Sequence, residues 1–325
     1  KSLTERGRSI VFVTHKLDEA LLCDRITVLR NGRVSLTADR DNITHEDLLK
    51  AMFRERVEIS EAPPSLPSEF STPVLEVRNL TTGEGKRRSD LYGVSFILHS
   101  GEILGIAGIA GNGQKQLLDV ITGSLIPQKG EVFLNGIETT RYGSPHPFRK
   151  RNFYAYVPEE RRGLGSFLNL SVADNLILGE GRKGLFFPRF LRDARLIRNF
   201  TERLIKEYDV RTTGIHALAE SLSGGNLQKL IVAREFSVDT QLILVAQPSF
   251  GLDFKTTEFV HARLVDMKAH GKGILLVSKD LDEILKLSDR VAVMFEGRLR
   301  ILSREEATVD RIGRMMVGLN KDAGR

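Results

Sequence analysis

Short runs of near-continuous apolar residues recur along the chain, separated by segments of helical period. Ile103–Ala107, Leu242–Ala246 and residues 274–277 have the length and hydrophobicity of strands buried on both faces. Earlier, Val74-Leu-Glu-Val-Arg-Asn-Leu alternates as an edge strand does, and Val94-Ser-Phe-Ile-Leu leads to a turn at Ser100-Gly101. Helical patterns such as Gln116-Leu-Leu-Asp-Val-Ile lie between the buried runs. The order predicts a mixed α/β domain with a parallel core, and the span of about 145–220, richer in helix signals and basic residues, reads as a helical insert.

The pattern also repeats. Gly7-Arg-Ser-Ile-Val-Phe-Val-Thr-His-Lys-Leu-Asp-Glu aligns with Gly271-Lys-Gly-Ile-Leu-Leu-Val-Ser-Lys-Asp-Leu-Asp-Glu in constant register. After a one-residue gap the match resumes at Asp24-Arg25 against Asp289-Arg290, and at Gly32-Arg33 against Gly297-Arg298. Glycine and charged positions agree in order, so a domain-length repeat is expected, with residues 1–57 the C-terminal part of copy one and 74–320 the whole of copy two. Residues 58–73, with Pro63, Pro64, Pro67 and Pro73, read as the linker. Residue 1 is Lys and the first Met is Met52, which suggests a chain cut inside a domain. Neither a signal peptide nor an apolar run near the ~18 residues of a membrane span is visible, so a membrane role is expected to come through a partner.

Composition adds little. The 325 residues are 41% hydrophobic and 28% charged, which excludes a disordered or collagenous chain. A net charge of +6 suits anionic phosphates, polyanions or a lipid surface without choosing among them. The single cysteine, Cys23, cannot form an internal disulfide and fits a reducing compartment.

Gly108-Ile-Ala-Gly-Asn-Gly-Gln-Lys follows one apolar strand and precedes a helix, the setting in which backbone N–H groups wrap phosphates. Against G-x-x-x-x-G-K-[ST], Gly108 and Gly113 fit. Gln114 replaces the phosphate lysine, and Lys115 replaces the Mg²⁺-binding hydroxyl. Gly111, Asn112 and Gln116 complete the candidate loop.

Leu222-Ser-Gly-Gly-Asn resembles the signature motif of ATP-binding cassette (ABC) ATPases, and about twenty residues on, Leu242-Ile-Leu-Val-Ala-Gln-Pro-Ser-Phe-Gly-Leu-Asp resembles their Walker B strand and D-loop. The resemblance implies the α/β, P-loop NTPase-like ABC ATPase fold, with a mainly parallel core sheet, an antiparallel β subdomain and a helical subdomain, and specifically the double-cassette ATPases of simple-sugar and nucleoside importers. It puts Leu222, Ser223, Gly224, Gly225 and Asn226 against the γ-phosphate of ATP held by the other cassette. Ala246 then stands at the Mg²⁺ carboxylate position, Gln247 at the catalytic Glu position and Lys279 at the switch histidine position, while Asp253 keeps the D-loop acid. Glu159, in Tyr-Val-Pro-Glu-Glu-Arg, takes the Q-loop position, which faces the membrane partner in the family. His15 of copy one matches the switch histidine. No aromatic residue lies between Leu80 and Leu91, where many cassettes stack adenine.

The resemblance therefore implies one degenerate Walker site and one hydrolysing site. The second would combine Walker motifs outside this sequence with His15 and the copy-two signature. Implied cofactors are ATP and Mg²⁺, the metal having no ligands in this chain. Implied partners are integral membrane permease subunits, a paired cassette and, indirectly, an extracytoplasmic sugar- or nucleoside-binding protein, with no nucleic acid. The expected location is peripheral, on the cytoplasmic face of the membrane, and the chain alone is expected to be inactive as an ATPase. Two alternatives stand beside this: a non-hydrolysing regulatory or dimerisation cassette, and a soluble ABC ATPase acting on nucleic acid or ribosomes.

Overall fold

The computed structural model describes residues 4, 6–14, 17–30, 33–44, 47–48, 51, 72–83, 87–140, 153–178, 193–303 and 305–319. The chain divides into two compact units, Lys1–Ala62 with Asp253–Glu258, and Pro63–Leu252 with Phe259–Arg325.

The first unit has a short helix α1 (Leu17–Ala20) and an antiparallel hairpin of β1 (Arg25–Arg30) and β2 (Arg33–Asp39). Ile26, Val28, Ile43 and Leu48 form its small core. Residues 10–13, aligned above with the apolar run 274–277, form no strand. Ile10 is 54% and Val11 93% exposed, because an apolar strand of this kind needs neighbours on both sides and the described residues supply none here. The proline-rich stretch 58–71 lies outside the described residues.

The second unit holds two sheets. The six-stranded sheet comprises β5 (Ile103–Ala107), β8 (Tyr154–Val157), β9 (Leu242–Ala246), β10 (Gly273–Ser278), β11 (Arg290–Phe295) and β12 (Arg298–Leu302), in the order β12-β11-β5-β10-β9-β8. All neighbours are parallel except β11 and β12. A four-stranded antiparallel sheet contains β3 (Pro73–Thr81), β4 (Val94–His99), β6 (Lys129–Leu134) and β7 (Ile137–Glu138), in the order β4-β3-β6-β7. β3 is thus an interior strand and not the edge strand its alternation suggested. Alternation reports one buried face and is silent on hydrogen-bonded neighbours.

The period of two along the parallel strands divides the core. Leu104, Ile106, Leu244 and Leu275 face the antiparallel sheet and helix α2 (Gln114–Ile121). Ile103, Ile243, Val245 and Ile274 face a helical layer. That layer draws on α3 (Val172–Ile177), α4 (Ala194–Glu207), α5 (Gly224–Phe236), α6 (Phe254–Ala269), α7 (Leu281–Leu287) and α8 (Val309–Met316). Within the span expected to be helical, β8 is instead a sheet strand, and described helix begins only at Val172. α7, β11 and β12 open at Leu281, Arg290 and Arg298, the repeat partners of Leu17, Arg25 and Arg33, which open α1, β1 and β2. The C-terminal ends of β5, β8, β9 and β10 lie together along one edge of the parallel sheet, where open α/β sheets place their ligands.

Candidate functional site

Beyond β5 the chain turns through residues 108–113 and enters α2. Gly111 and Gly113 supply the left-handed conformations of this turn, Gly113 standing as the N-cap of α2. The Gln114 side chain folds back into the loop and donates from Nε2 to the Ile109 carbonyl at 3.0 Å. It lies across Gly108, where a Cβ would come 2.2 Å from Gln114 Nε2 and 2.8 Å from the Met294 carbonyl, so only glycine fits. Lys115 points away along the outside of α2. It is 80% exposed and pairs with Asp119 one turn on, at 2.7 Å. Asn112 is buried and ties the loop to the turn between β11 and β12. Its Oδ1 accepts from the Glu296 N–H at 3.0 Å and its carbonyl from the Gly297 N–H at 2.9 Å. Gln116 is half-buried on the first turn of α2.

Beyond β9, Ala246 is buried and Gln247 adopts a left-handed conformation. The Gln247 N–H donates to the Val277 carbonyl at 2.8 Å, and its Oε1 accepts from the Lys279 N–H at 3.2 Å. The Lys279 ammonium pairs with Glu159 Oε1 at 2.8 Å and lies 5.6 Å from the centre of the Phe250 ring. Gln247 and Glu159 are therefore linked through Lys279, one at its backbone N–H and the other at its ammonium. The set does not fit Mg²⁺: Ala246 has no oxygen to offer, Lys115 no hydroxyl, and both candidate lysines are engaged with carboxylates. No group of His, Cys, Asp or Glu suited to a metal occurs among the described residues.

The signature segment is built differently. Leu222 is buried and anchors it, while Ser223 and Gly224 are exposed at the start of α5. Ser223 is the N-cap and its Oγ accepts from the Asn226 side-chain amide at 2.9 Å. Asn226 Oδ1 accepts from the Arg211 N–H at 2.8 Å, fixing the turn from behind. Gly225 is half-buried, and the Asn226 N–H donates to Ser223 Oγ, capping the first turn beside the exposed Ser223 and Gly224. Asp253 accepts from the Thr256 N–H at 3.0 Å and from its hydroxyl at 2.8 Å. Burial pushes this carboxyl up, but those bonds and the amides of Asp253 and Lys255 outweigh it and hold it below the ordinary range. His15 lies outside the described residues.

Sequence reasoning gave Arg161 no role. Its Nε donates to Gln228 Oε1 at 2.9 Å and its Nη2 to the Phe250 carbonyl, joining the Q-loop segment to α5 and to the D-loop. Burial lowers its guanidinium pKa. The only local signal was an arginine placed two residues after Glu159.

Residues 91–249 match the family described as ABC transporter. The chain is 37% identical over 323 residues to the nucleoside import ATP-binding protein NupA of Lactococcus lactis, covering 98% of this chain and 63% of that protein. It is 38% identical to the glucose import ATP-binding protein TsgD13 of Haloferax volcanii, over 97% of this chain and 58% of that one, and 32% identical to the ribose import ATP-binding protein RbsA of Clostridium perfringens, over 98% and 62%. The chain thus spans about 60% of the length of these relatives. Among solved structures, a nucleotide-free ATP-binding cassette from an ABC transporter superposes with a TM-score of 0.62 at 21% identity, covering 76% of this chain and 98% of that one. A dimeric cassette in a post-hydrolysis state bound to ADP and Pi gives 0.60 at 22%, over 71% and 98%. Those two likenesses show the fold. Together, profile, relatives and fold identify residues 91–249 as an ABC transporter ATP-binding domain with homologues named as sugar and nucleoside import ATP-binding proteins.

Proposed function

We propose that this chain is part of the ATP-binding, energy-coupling subunit of an importer for simple sugars or nucleosides, acting at the cytoplasmic face of a membrane through permease subunits. In this reading the second cassette binds signature-first. It presents Ser223, Gly224 and Gly225 to ATP and Mg²⁺ held by the Walker motifs of a paired cassette, whose switch histidine is His15. Its own Walker site does not hydrolyse.

One contrast supports the reading above all. The signature N-terminus is intact and exposed, whereas Gln114, Gln247, Lys279 and Glu159 are bonded within the protein. Phosphoryl transfer needs a metal clamp and a positioned water. Loss of a general base costs ~10²–10⁴ in rate, and loss of an electrostatic donor ~10²–10³. The effects do not add simply, yet any one disables turnover.

Residues 1–325 alone should hydrolyse ATP no faster than a buffer blank in a phosphate-release assay. Turnover at the rate of an intact cassette would overturn the assignment of roles.

A further inference from the structure

We infer that Arg161 is a positioning residue that sets the signature turn and the D-loop of this cassette at a fixed separation. The inference rests on the proposed function, in which both segments face ATP held by the paired cassette.

The loop that carries Arg161 is clamped to α5. The Gly165 N–H donates to the Glu160 carbonyl at 2.9 Å, and the Ser166 hydroxyl donates to the Arg161 carbonyl at 2.7 Å. From α5, Arg234 Nη2 donates to the Gly165 carbonyl at 2.7 Å, while Glu235 accepts from Arg234 Nε at 2.8 Å and from the Tyr156 N–H at 3.0 Å. The base of the side chain is therefore held to the rear half of the signature helix. Its guanidinium reaches the front half: Nε bonds Gln228, one turn beyond the signature turn, and a Cβ on Gly224 would stand 3.8 Å from Nη1. The remaining edge reaches the Phe250 carbonyl in the segment after β9.

Two features make arginine specific here. A rigid fork donates in two directions at once, which the single ammonium of lysine at the end of a flexible stem does not reproduce. Gln228 is buried, and its Nε2 has no hydrogen-bond partner among the described residues, so the Arg161 contact, at Oε1, is what satisfies its amide. Without it, the helix and the D-loop lose their common tether and a buried amide is left unpaired.

The test uses the natural-length protein with its permease subunits, measuring steady-state ATP hydrolysis for Arg161→Lys, Arg161→Ala, Gln228→Ala and the double variant Arg161→Ala/Gln228→Ala. Misplacement of catalytic groups by about 1 Å costs on the order of 10²-fold, so kcat should fall about 10- to 100-fold in both Arg161 variants. KM for ATP should stay within about twofold, since the nucleotide is held by the other cassette's Walker residues. The double variant should be no worse than Arg161→Ala alone, as expected for two groups acting as one unit. Circular dichroism should show every variant folded at the assay temperature, with the thermal midpoint of the Arg161 variants lowered only by the lost buried hydrogen bond. Wild-type kcat in Arg161→Lys would overturn the inference by reducing the role to charge. A raised KM with unchanged kcat would overturn it by making Arg161 a nucleotide contact. Ser223→Arg, measured in parallel, separates the levels: if it leaves hydrolysis intact, the proposed function itself fails, whereas its loss beside an active Arg161→Lys removes only Arg161.

Discussion

Gln114 shows how a single side chain can close a site from within. A lysine there would extend toward phosphate, but the amide bonds its own loop at the Ile109 carbonyl. Lys279 and Glu159 do the same across 120 positions of sequence, and both are more than a third exposed. An exposed pair contributes ~0.2–1 kcal/mol at most. A double-mutant cycle of Glu159→Gln and Lys279→Met in urea should return a coupling in that range, reduced by added salt; zero coupling at low salt would show that the pair does not hold the two segments together. Asp253 makes a second prediction at this scale. Its folded pKa is depressed, so its contribution is present above the unfolded value, about 3.9, and is lost as pH falls through the lower folded value. Accepting from the N–H three residues on, as an N-cap does, it should make Asp253→Ala about 1 kcal/mol less stable at neutral pH. That deficit should shrink toward pH 3 in paired denaturation curves, and a deficit independent of pH would contradict the assignment.

At the scale of elements, the turn at 108–113 is held by a neighbouring hairpin. Asn112 reaches the β11–β12 turn, and Gly297 there passes so close to Asp90 that a Cβ would lie 1.6 Å from its carbonyl oxygen. Gly297 also has a φ of 73°, which costs a residue with a Cβ ~1–2 kcal/mol. Overpacking adds ~1–3 kcal/mol, so Gly297→Ala should lower the thermal midpoint of the second unit by several degrees; an unchanged midpoint would show that the loop and hairpin move independently. The strands β5, β9 and β10 were legible because continuous apolar runs of five or six residues have few other uses, and their buried faces agree. The interior place of β3 was not legible, since its second neighbour β6 lies some fifty residues on. The apolar run at 10–13 reads as a strand by comparison with 274–277, yet strand formation depends on partners that the run itself does not encode.

At the scale of the molecule, the motif positions can be located on the fold. Ser223, Gln247 and Lys279 stand where the spacing put them, at a helix start and at the ends of β9 and β10. What the spacing could not give is which altered residues bond to each other. The Glu159–Lys279 and Arg161–Phe250 contacts depend on the packing of segments far apart in sequence. In the proposed reading, those contacts leave a Walker face bonded to itself and a signature face for a partner. The most direct test of that division is transport-linked ATP hydrolysis by the natural-length protein with its permease subunits, comparing Ser223→Arg with Gln247→Ala. The account predicts that Ser223→Arg abolishes hydrolysis while Gln247→Ala leaves it within about twofold of wild type, because Gln247 already lacks a base's function. Loss of hydrolysis in Gln247→Ala with activity retained in Ser223→Arg would contradict it.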